Sequence, residues 1–270
     1  MLYSDFRYRQ EVEMKANENH LIRLIGETIN GYVVDEKIWQ GATSTVYRCS
    51  VAGGRGRWGQ TVAIKVLHPY RNNPLQIKQF VKEARMQGGI VHDNIVRVYG
   101  MGKKDGYLAI FMEYVYGNSL RITSQTTEMK TEWLISFFSQ LASALEYLHS
   151  KGIVHNDLKP ENIIIGKVGG AFKLTDFGFA EKLSRWSRKS SYTGGTEKYM
   201  APERAKGVSD FRSDIYSFGI LLDEFLKDRI GNERIYSIIV RATQRELFKR
   251  YNTISDLKDE LNRLYIEYTS

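Results

Sequence analysis

The run His155-Asn156-Asp157-Leu158-Lys159-Pro160-Glu161-Asn162 sets a carboxylate, an ammonium and a side-chain amide within a few residues, and Asp176-Phe177-Gly178 follows shortly after. Groups of these types suit phosphoryl transfer, in which a protein mostly positions the reactants and neutralises charge. Asp157 can accept the proton of an attacking hydroxyl. Asn162 and Asp176 offer hard oxygen ligands of the kind Mg²⁺ takes. Lys159 can sit on the γ-phosphate during transfer. Singly, each residue also reads as a turn residue or a helix cap; jointly, at this spacing, they point to chemistry.

Such groups need elements to hold them. Tyr32–Ile38, Thr45–Ala52 and Thr61–Leu67 are rich in Val, Ile, Thr and Tyr and are separated by glycine-bearing turns, which predicts strands. Residues 53–59 read as a hairpin loop. Pro74–Gln87 predicts a helix, with Ile77, Phe80, Val81 and Ala84 at helical spacing. Two strands follow near Ile95–Gly100 and Tyr107–Glu113, and then helices over Thr131–Ser150, Asp214–Lys227, Glu233–Thr243 and Ile254–Tyr268. His20–Ile29 fits a helix or a strand equally. A strand-rich first part and a helix-rich second part predict two lobes joined near Glu113–Gly117, and a cleft between lobes is a usual place for a small molecule.

Composition narrows the class. With 42% hydrophobic and 26% charged residues, the 270-residue chain can build a proper core as one large or two small domains. The net charge of +8 is spread along the chain without a nucleic-acid-binding signature, so it reads as a solvated surface and no nucleic acid partner is expected. The lone Cys49 cannot close an internal disulfide, which fits a reducing compartment, and it reads as a half-buried strand residue. No apolar run approaches the ~18 residues of a membrane span, and Met1 to Glu27 lacks the apolar core of a signal peptide. The expectation is a soluble, cytoplasmic protein without a membrane anchor; the oligomeric state stays open.

From Tyr32 to Tyr268 the chain resembles the eukaryotic-type (Hanks-type) protein kinases, whose catalytic loop reads H-R-D-L-x-x-x-N, metal motif D-F-G and third strand V-A-I-K. The resemblance implies an α+β bilobal fold. A small β-rich N-lobe with one regulatory helix (about 32–114) and a larger helical C-lobe (about 115–268) enclose an ATP cleft, and residues 1–31 form an extension of unassigned role. In Val62-Ala63-Ile64-Lys65 the lysine is implied to contact the α- and β-phosphates, with Glu83 as its helical partner. The glycine-loop pattern G-x-G-x-x-G-x-V falls on Trp39, Gly41, Ser44 and Val46, so only the middle glycine survives and a stiffer loop with weaker ATP binding is implied. Taken alone, Gly41–Ser44 reads as a hairpin turn.

Phe111-Met112-Glu113-Tyr114-Val115 resembles the hinge: the Glu113 carbonyl and Val115 amide meet adenine and Met112 is the gatekeeper. The same resemblance implies that Val46 and Ala63 roof the base, Ile164 floors it and Ile38 belongs to the same nucleotide site, while the roof and floor residues read equally as ordinary core. Phe177, Gly178, Thr196 and Glu203 mark the activation segment, Glu203 is implied to pair with Arg250, and Asp214 to hold the catalytic-loop backbone. Lys159 with Thr196 resembles the serine/threonine branch. The implied cofactors are ATP and Mg²⁺, with Mn²⁺ as a substitute, and the partners are proteins with serine or threonine acceptors, the chain itself included.

Two departures stand out. Asn156 replaces the arginine that normally meets a loop phosphate, which argues against strict control by loop phosphorylation. Ser184, Ser187, Ser190, Ser191 and Thr193 nevertheless lie on the predicted loop among Arg185, Arg188 and Lys189. The stretch between Asp223 and Thr243 is shorter than in most relatives and lacks their Pro-Phe pair, which puts docking by that route in doubt. The eroded glycine loop and Asn156 favour an alternative, a pseudokinase acting as a nucleotide-binding scaffold, but Lys65, Asp157, Asn162 and Asp176 standing together oppose it. A small-molecule kinase is opposed by Gly195-Thr196 and Ala201-Pro202-Glu203, which resemble a peptide-binding ledge.

Overall fold

The computed structural model describes residues 24–53, 56–57, 59–68, 74–104, 106–167, 169–183 and 196–269. The chain forms two compact units, one of the described residues up to Ile90 plus Arg97–Val115, the other of Val91–Val96 plus the residues from Tyr116 onward. The phosphorylatable residues Ser184, Ser187, Ser190, Ser191 and Thr193, with Arg185, Arg188 and Lys189, lie outside the described residues, as do 20–23 of the ambiguous His20–Ile29 and three positions of the 53–59 loop.

The first unit is an antiparallel sheet. Its strands are β1 (Thr28–Ile29), β2 (Tyr32–Gln40), β3 (Ser44–Val51), β4 (Thr61–Leu67), β5 (Val98–Lys104) and β6 (Tyr107–Glu113), in the order β1-β2-β3-β4-β6-β5. Because side chains alternate across a strand, β3, β4 and β6 present two distinct faces. Tyr47, Cys49, Val62, Ile64, Val66, Ala109 and Phe111 close one face into a core with Leu24, Ile29, Tyr32 and Val34. Leu24 and β1 extend the folded unit ahead of Tyr32, where sequence reasoning begins it. The other face carries Val46, Lys65 and Ile110 in register, with Arg48, Ala63 and Met112 beside them.

Cys49 is fully buried rather than half-buried, and desolvation pushes its thiol up to about 12, so it serves as core. Helix α1 (Pro74–Gly88) opens with proline at its first position and turns Phe80, Glu83, Ala84 and Gln87 inward. Those positions follow the i, i+3, i+4, i+7 rule. Ile77, predicted on the apolar stripe, stays 43% exposed, because the inward face is centred on Glu83.

The predicted strand Ile95–Gly100 is displaced. Residues 91–96 belong to the second unit, where Val96 N–H donates to Leu174 O and Leu174 N–H to Asn94 O, so pairing with β6 begins only at Val98.

The second unit contains β7 (Gly117–Ser119), α2 (Leu120–Thr126), α3 (Thr131–Ser150), β8 (Ile153–Val154), β9 (Ile163–Gly166), β10 (Phe172–Leu174) and β11 (Glu181–Lys182), then α4 (Phe211–Phe225), α5 (Lys227–Ile230), α6 (Glu233–Ala242) and α7 (Ile254–Thr269). Helix α3 is its axis, with Leu134, Phe138, Leu141, Leu145 and Leu148 among its buried residues. Sequence reasoning starts α4 at Asp214, but the helix starts at Phe211, because Asp210 and Ser213 form a reciprocal capping box. Asp214 thereby falls in the first turn, fully buried. Helix α6 buries Ile235, Ile238, Ile239 and Ala242. Its Ala242 lies so close to α4 that a Cβ on Gly219 would come within 2.7 Å. No helix of the described residues is long and apolar enough to cross a membrane.

Candidate active site

In the first unit, Lys65 Nζ donates to Glu83 Oε1 at 2.6 Å, and both side chains are at most a tenth exposed. A buried ion pair contributes little net stability after desolvation. Its effect is positional, joining α1 to the face of the sheet that carries Lys65. Val46, Ala63 and Met112 lie on the same face as Lys65, at neighbouring register positions. Glu113 ends β6, and its N–H donates to Arg97 O while its Oε2 accepts from Arg97 N–H. Val115 is the last residue of this unit and is half-buried; Ile164, on β9, belongs to the second unit. Ile38 is 48% exposed at a register shift of β2. The turn after β2 closes with Gly41 N–H donating to Ser44 O at 2.9 Å. A Cβ on Gly41 would lie 2.1 Å from the far end of the half-exposed Trp39 indole, which would have to shift to admit it.

The second unit gathers the catalytic-loop groups. Asp157 Oδ2 lies 2.9 Å from Asn162 Nδ2 and 2.8 Å from Lys159 Nζ, while Oδ1 accepts the Thr196 N–H at 3.3 Å. Lys159 Nζ also reaches Thr196 Oγ1 at 3.0 Å. Asn162 commits its NH₂ to the backbone oxygen and Oδ2 of Asp157. Its side-chain oxygen is thus the end available to a hard cation. Thr175 N–H donates to Asn162 O, which brings Asp176 alongside, held in the left-handed region (φ 63°) with its Oδ1 accepting from Gly178 N–H. Among the described residues no group of three or more His, Cys, Asp or Glu could hold a metal ion. One amide and one carboxylate fit the sparse protein share of a Mg²⁺ site completed by substrate oxygens.

Asp214 fixes the loop from beneath. Its Oδ2 accepts His155 N–H at 2.9 Å and its Oδ1 accepts Asn156 N–H at 2.8 Å. Burial alone would raise its pKa, but hydrogen bonding and charge from His149, with His155, outweigh that and hold the carboxyl below its ordinary value. His149 Nε2 lies 2.9 Å away and must carry the proton it donates, since a carboxylate only accepts. His155 Nε2–H similarly donates to Thr175 O while its Nδ1 accepts Asp157 N–H, and its ring packs edge-on against Phe177.

Glu203 and Arg250 form a bidentate pair, both bonds 2.8 Å, with the Arg250 side chain fully buried. Arg250→Met should therefore strand a buried carboxylate and destabilise the unit by about 3–5 kcal/mol. Urea unfolding checks this, and a midpoint equal to wild type would refute it.

Several contacts around the site carry no recognisable signal in the sequence. Asn156 sits at φ 64° with its side chain donating to Phe179 O at 3.1 Å and exchanging bonds with Ser209. Asparagine tolerates the left-handed backbone there. Arg121 joins Glu161 at 2.9 Å and Glu224 at 2.5 Å, and Glu224 also accepts from Lys198 and Tyr199. Burial would raise the Glu224 pKa, yet Lys198, Tyr199 and Arg121 together hold it below the ordinary value. Arg204 is buried with Nη1 3.6 Å from Glu181. These links join residues distant in sequence, and only charge type hints at them.

Residues 32–264 match the family model described as the protein kinase domain. The chain belongs to the protein kinase family. It is 31% identical to the serine/threonine-protein kinase PrkC of Bacillus subtilis, over 90% of this chain and 42% of that protein. It is likewise 31% identical to a probable serine/threonine-protein kinase PknB of Lactococcus lactis, over 88% of this chain and 38% of that one. A third relative, the serine/threonine-protein kinase pkn2 of Myxococcus xanthus, is 37% identical over 64% of the chain and 22% of its own length. The chain thus spans about two-fifths or less of the curated relatives it matches. The kinase fold accounts for both units, a curled sheet with one helix followed by a helical unit.

Proposed function

We propose that this kinase domain transfers the γ-phosphoryl group of ATP to serine or threonine hydroxyls of proteins. The observation that carries the reading is the arrangement around Asp157, whose carboxylate is held by Asn162, Lys159 and the Thr196 backbone. In this reading Asp157 orients the acceptor hydroxyl and takes its proton, and Lys159 balances charge gathering on the transferred group. Lys65, steadied by Glu83, holds the α- and β-phosphates, and Ile38, Gly41, Val46, Ala63, Met112, Glu113, Val115 and Ile164 serve the nucleotide. Asn162 and Asp176 would hold Mg²⁺, or Mn²⁺ in its place, which supplies positive charge to the phosphates. The Thr196 hydroxyl beside Lys159 supports serine or threonine over tyrosine as acceptor. A buried lone thiol suits a cytoplasmic setting. The similarity to serine/threonine-protein kinases over most of the chain adds nothing to the scaffold alternative.

Asn156 bears on regulation. Its side chain is buried and engaged with Phe179 and Ser209, so it offers a loop phosphate no counter-charge. The phosphatase-treated protein, freed of phosphatase and given γ-labelled ATP with magnesium, should label a generic protein substrate at its full initial rate and lose that activity in chelator. No transfer at all would overturn the kinase reading. A lag abolished by preincubation with ATP would overturn phosphate-independence.

A further inference from the structure

We propose that His68 is a positioning residue for the nucleotide loop, acting as a staple that orients the peptide groups meeting the ATP phosphates. The proposal rests on the kinase reading above and concerns a residue one position beyond β4, outside every motif in the sequence.

Bonds to three loop residues, Ala42, Thr43 and Thr45, converge on His68. Its backbone N–H donates to Thr43 O at 2.8 Å, its Nδ1 lies 3.3 Å from Ala42 O, and its Nε2 lies 2.8 Å from Thr45 Oγ1. A carbonyl only accepts, so Nδ1 carries the proton; in the neutral ring Nε2 then accepts the Thr45 hydroxyl. The neutral form fits the site, because burial pushes the His68 pKa below its ordinary value, only partly offset by the bond to Ala42. Both His68 and Thr45 are buried, at 6% and 0% exposure.

The consequence lies in the loop. Every peptide bond of the described chain is trans, and in a trans peptide C=O and N–H point in opposite directions. With the Ala42 and Thr43 carbonyls both held toward His68, the N–H groups of Thr43 and Ser44 are turned away from it. Successive N–H groups aimed outward from a tight turn form an anion-binding concavity. Loops of this kind usually reach such a geometry through glycine. This one has Trp39 and Ser44 at two of those positions, and the geometry is imposed from outside by an imidazole.

The test is steady-state kinetics on the full chain with His68→Ala, His68→Asn and Thr45→Val. His68→Ala should raise the KM for ATP about tenfold, the scale of losing oriented hydrogen bonds. The KM for protein substrate should stay within twofold, as should kcat at saturating ATP. Asn can still donate to Ala42 O, so His68→Asn should recover part of the loss. Thr45→Val keeps the side-chain shape without the hydroxyl and should raise the KM for ATP about threefold, and adding it to His68→Ala should change nothing further. Thermal unfolding of each variant accompanies the kinetics. If His68→Ala does not fold, Thr45→Val decides, with a wild-type KM for ATP overturning the proposal. A wild-type KM in folded His68→Ala, or a fall in kcat and melting temperature with unchanged KM, overturns it while the kinase reading stands. A wild-type protein that neither binds nor uses ATP overturns both.

Discussion

Asp157→Asn should give a folded protein that binds ATP normally and transfers phosphate at roughly a thousandth of the wild-type rate, the scale of removing a positioned base. The expectation comes from what surrounds the carboxylate. Among the described residues, the groups bonded to the Asp157 carboxylate oxygens are donors: the Asn162 amide, the Lys159 ammonium and the Thr196 N–H. An asparagine keeps the outline but turns one acceptor into a donor facing one of these groups, and it can no longer take a hydroxyl proton. Single-turnover rates, measured beside circular dichroism and a nucleotide titration, separate loss of chemistry from loss of fold. Turnover within tenfold of wild type, with the fold intact, would remove Asp157 from the role assigned to it.

The second large effect is expected at Lys65. Lys65→Met should lower kcat/KM by about a hundredfold or more, since an uncharged side chain forfeits charge-assisted bonds to phosphate oxygens worth several kcal/mol together. The substitution also leaves Glu83 buried and without its ammonium, which would weaken the seat of α1. Lys65→Met combined with Glu83→Gln removes that complication by neutralising both partners. The double variant should regain melting temperature but not activity. If either variant keeps more than about a tenth of wild-type transfer, a loss of only ~1.4 kcal/mol, Lys65 does not position the phosphates.

Much of this was legible in the residues, and what was not has a physical reason. Strands β2, β3, β4 and β6 announce themselves by β-branched runs, and α3 by its apolar stripe. The motif residues then fall on those elements in the expected order. The displaced β5 and the early start of α4 were harder. The segment 91–96 is taken by backbone bonds in the second unit, and Asp210 caps a helix that apolar periodicity starts later. Ile77 misled because helical spacing identifies a stripe without saying which flank of it turns inward. The supporting contacts were the least legible. His68 with Thr45, Asn156 with Ser209, and Arg121 with Glu161 and Glu224 each join residues whose proximity is a product of the fold. Asn156 shows the difference best. In sequence it is a missing arginine, whereas in the structure it is a buried bridge between the catalytic loop, the backbone after Gly178 and the entry to α4.

Transfer from ATP to an aliphatic protein hydroxyl is tested by varying only the acceptor. A set of otherwise identical peptides carrying Ser, Thr, Tyr or Ala at one position is incubated with the wild-type protein, ATP and magnesium, and the intact mass of each is followed with time. The Ser and Thr peptides should gain one phosphoryl group, the Ala peptide none and the Tyr peptide at most a trace. Phosphate on the Tyr peptide alone, or on none while ATP is still bound, would rule out a serine/threonine protein kinase.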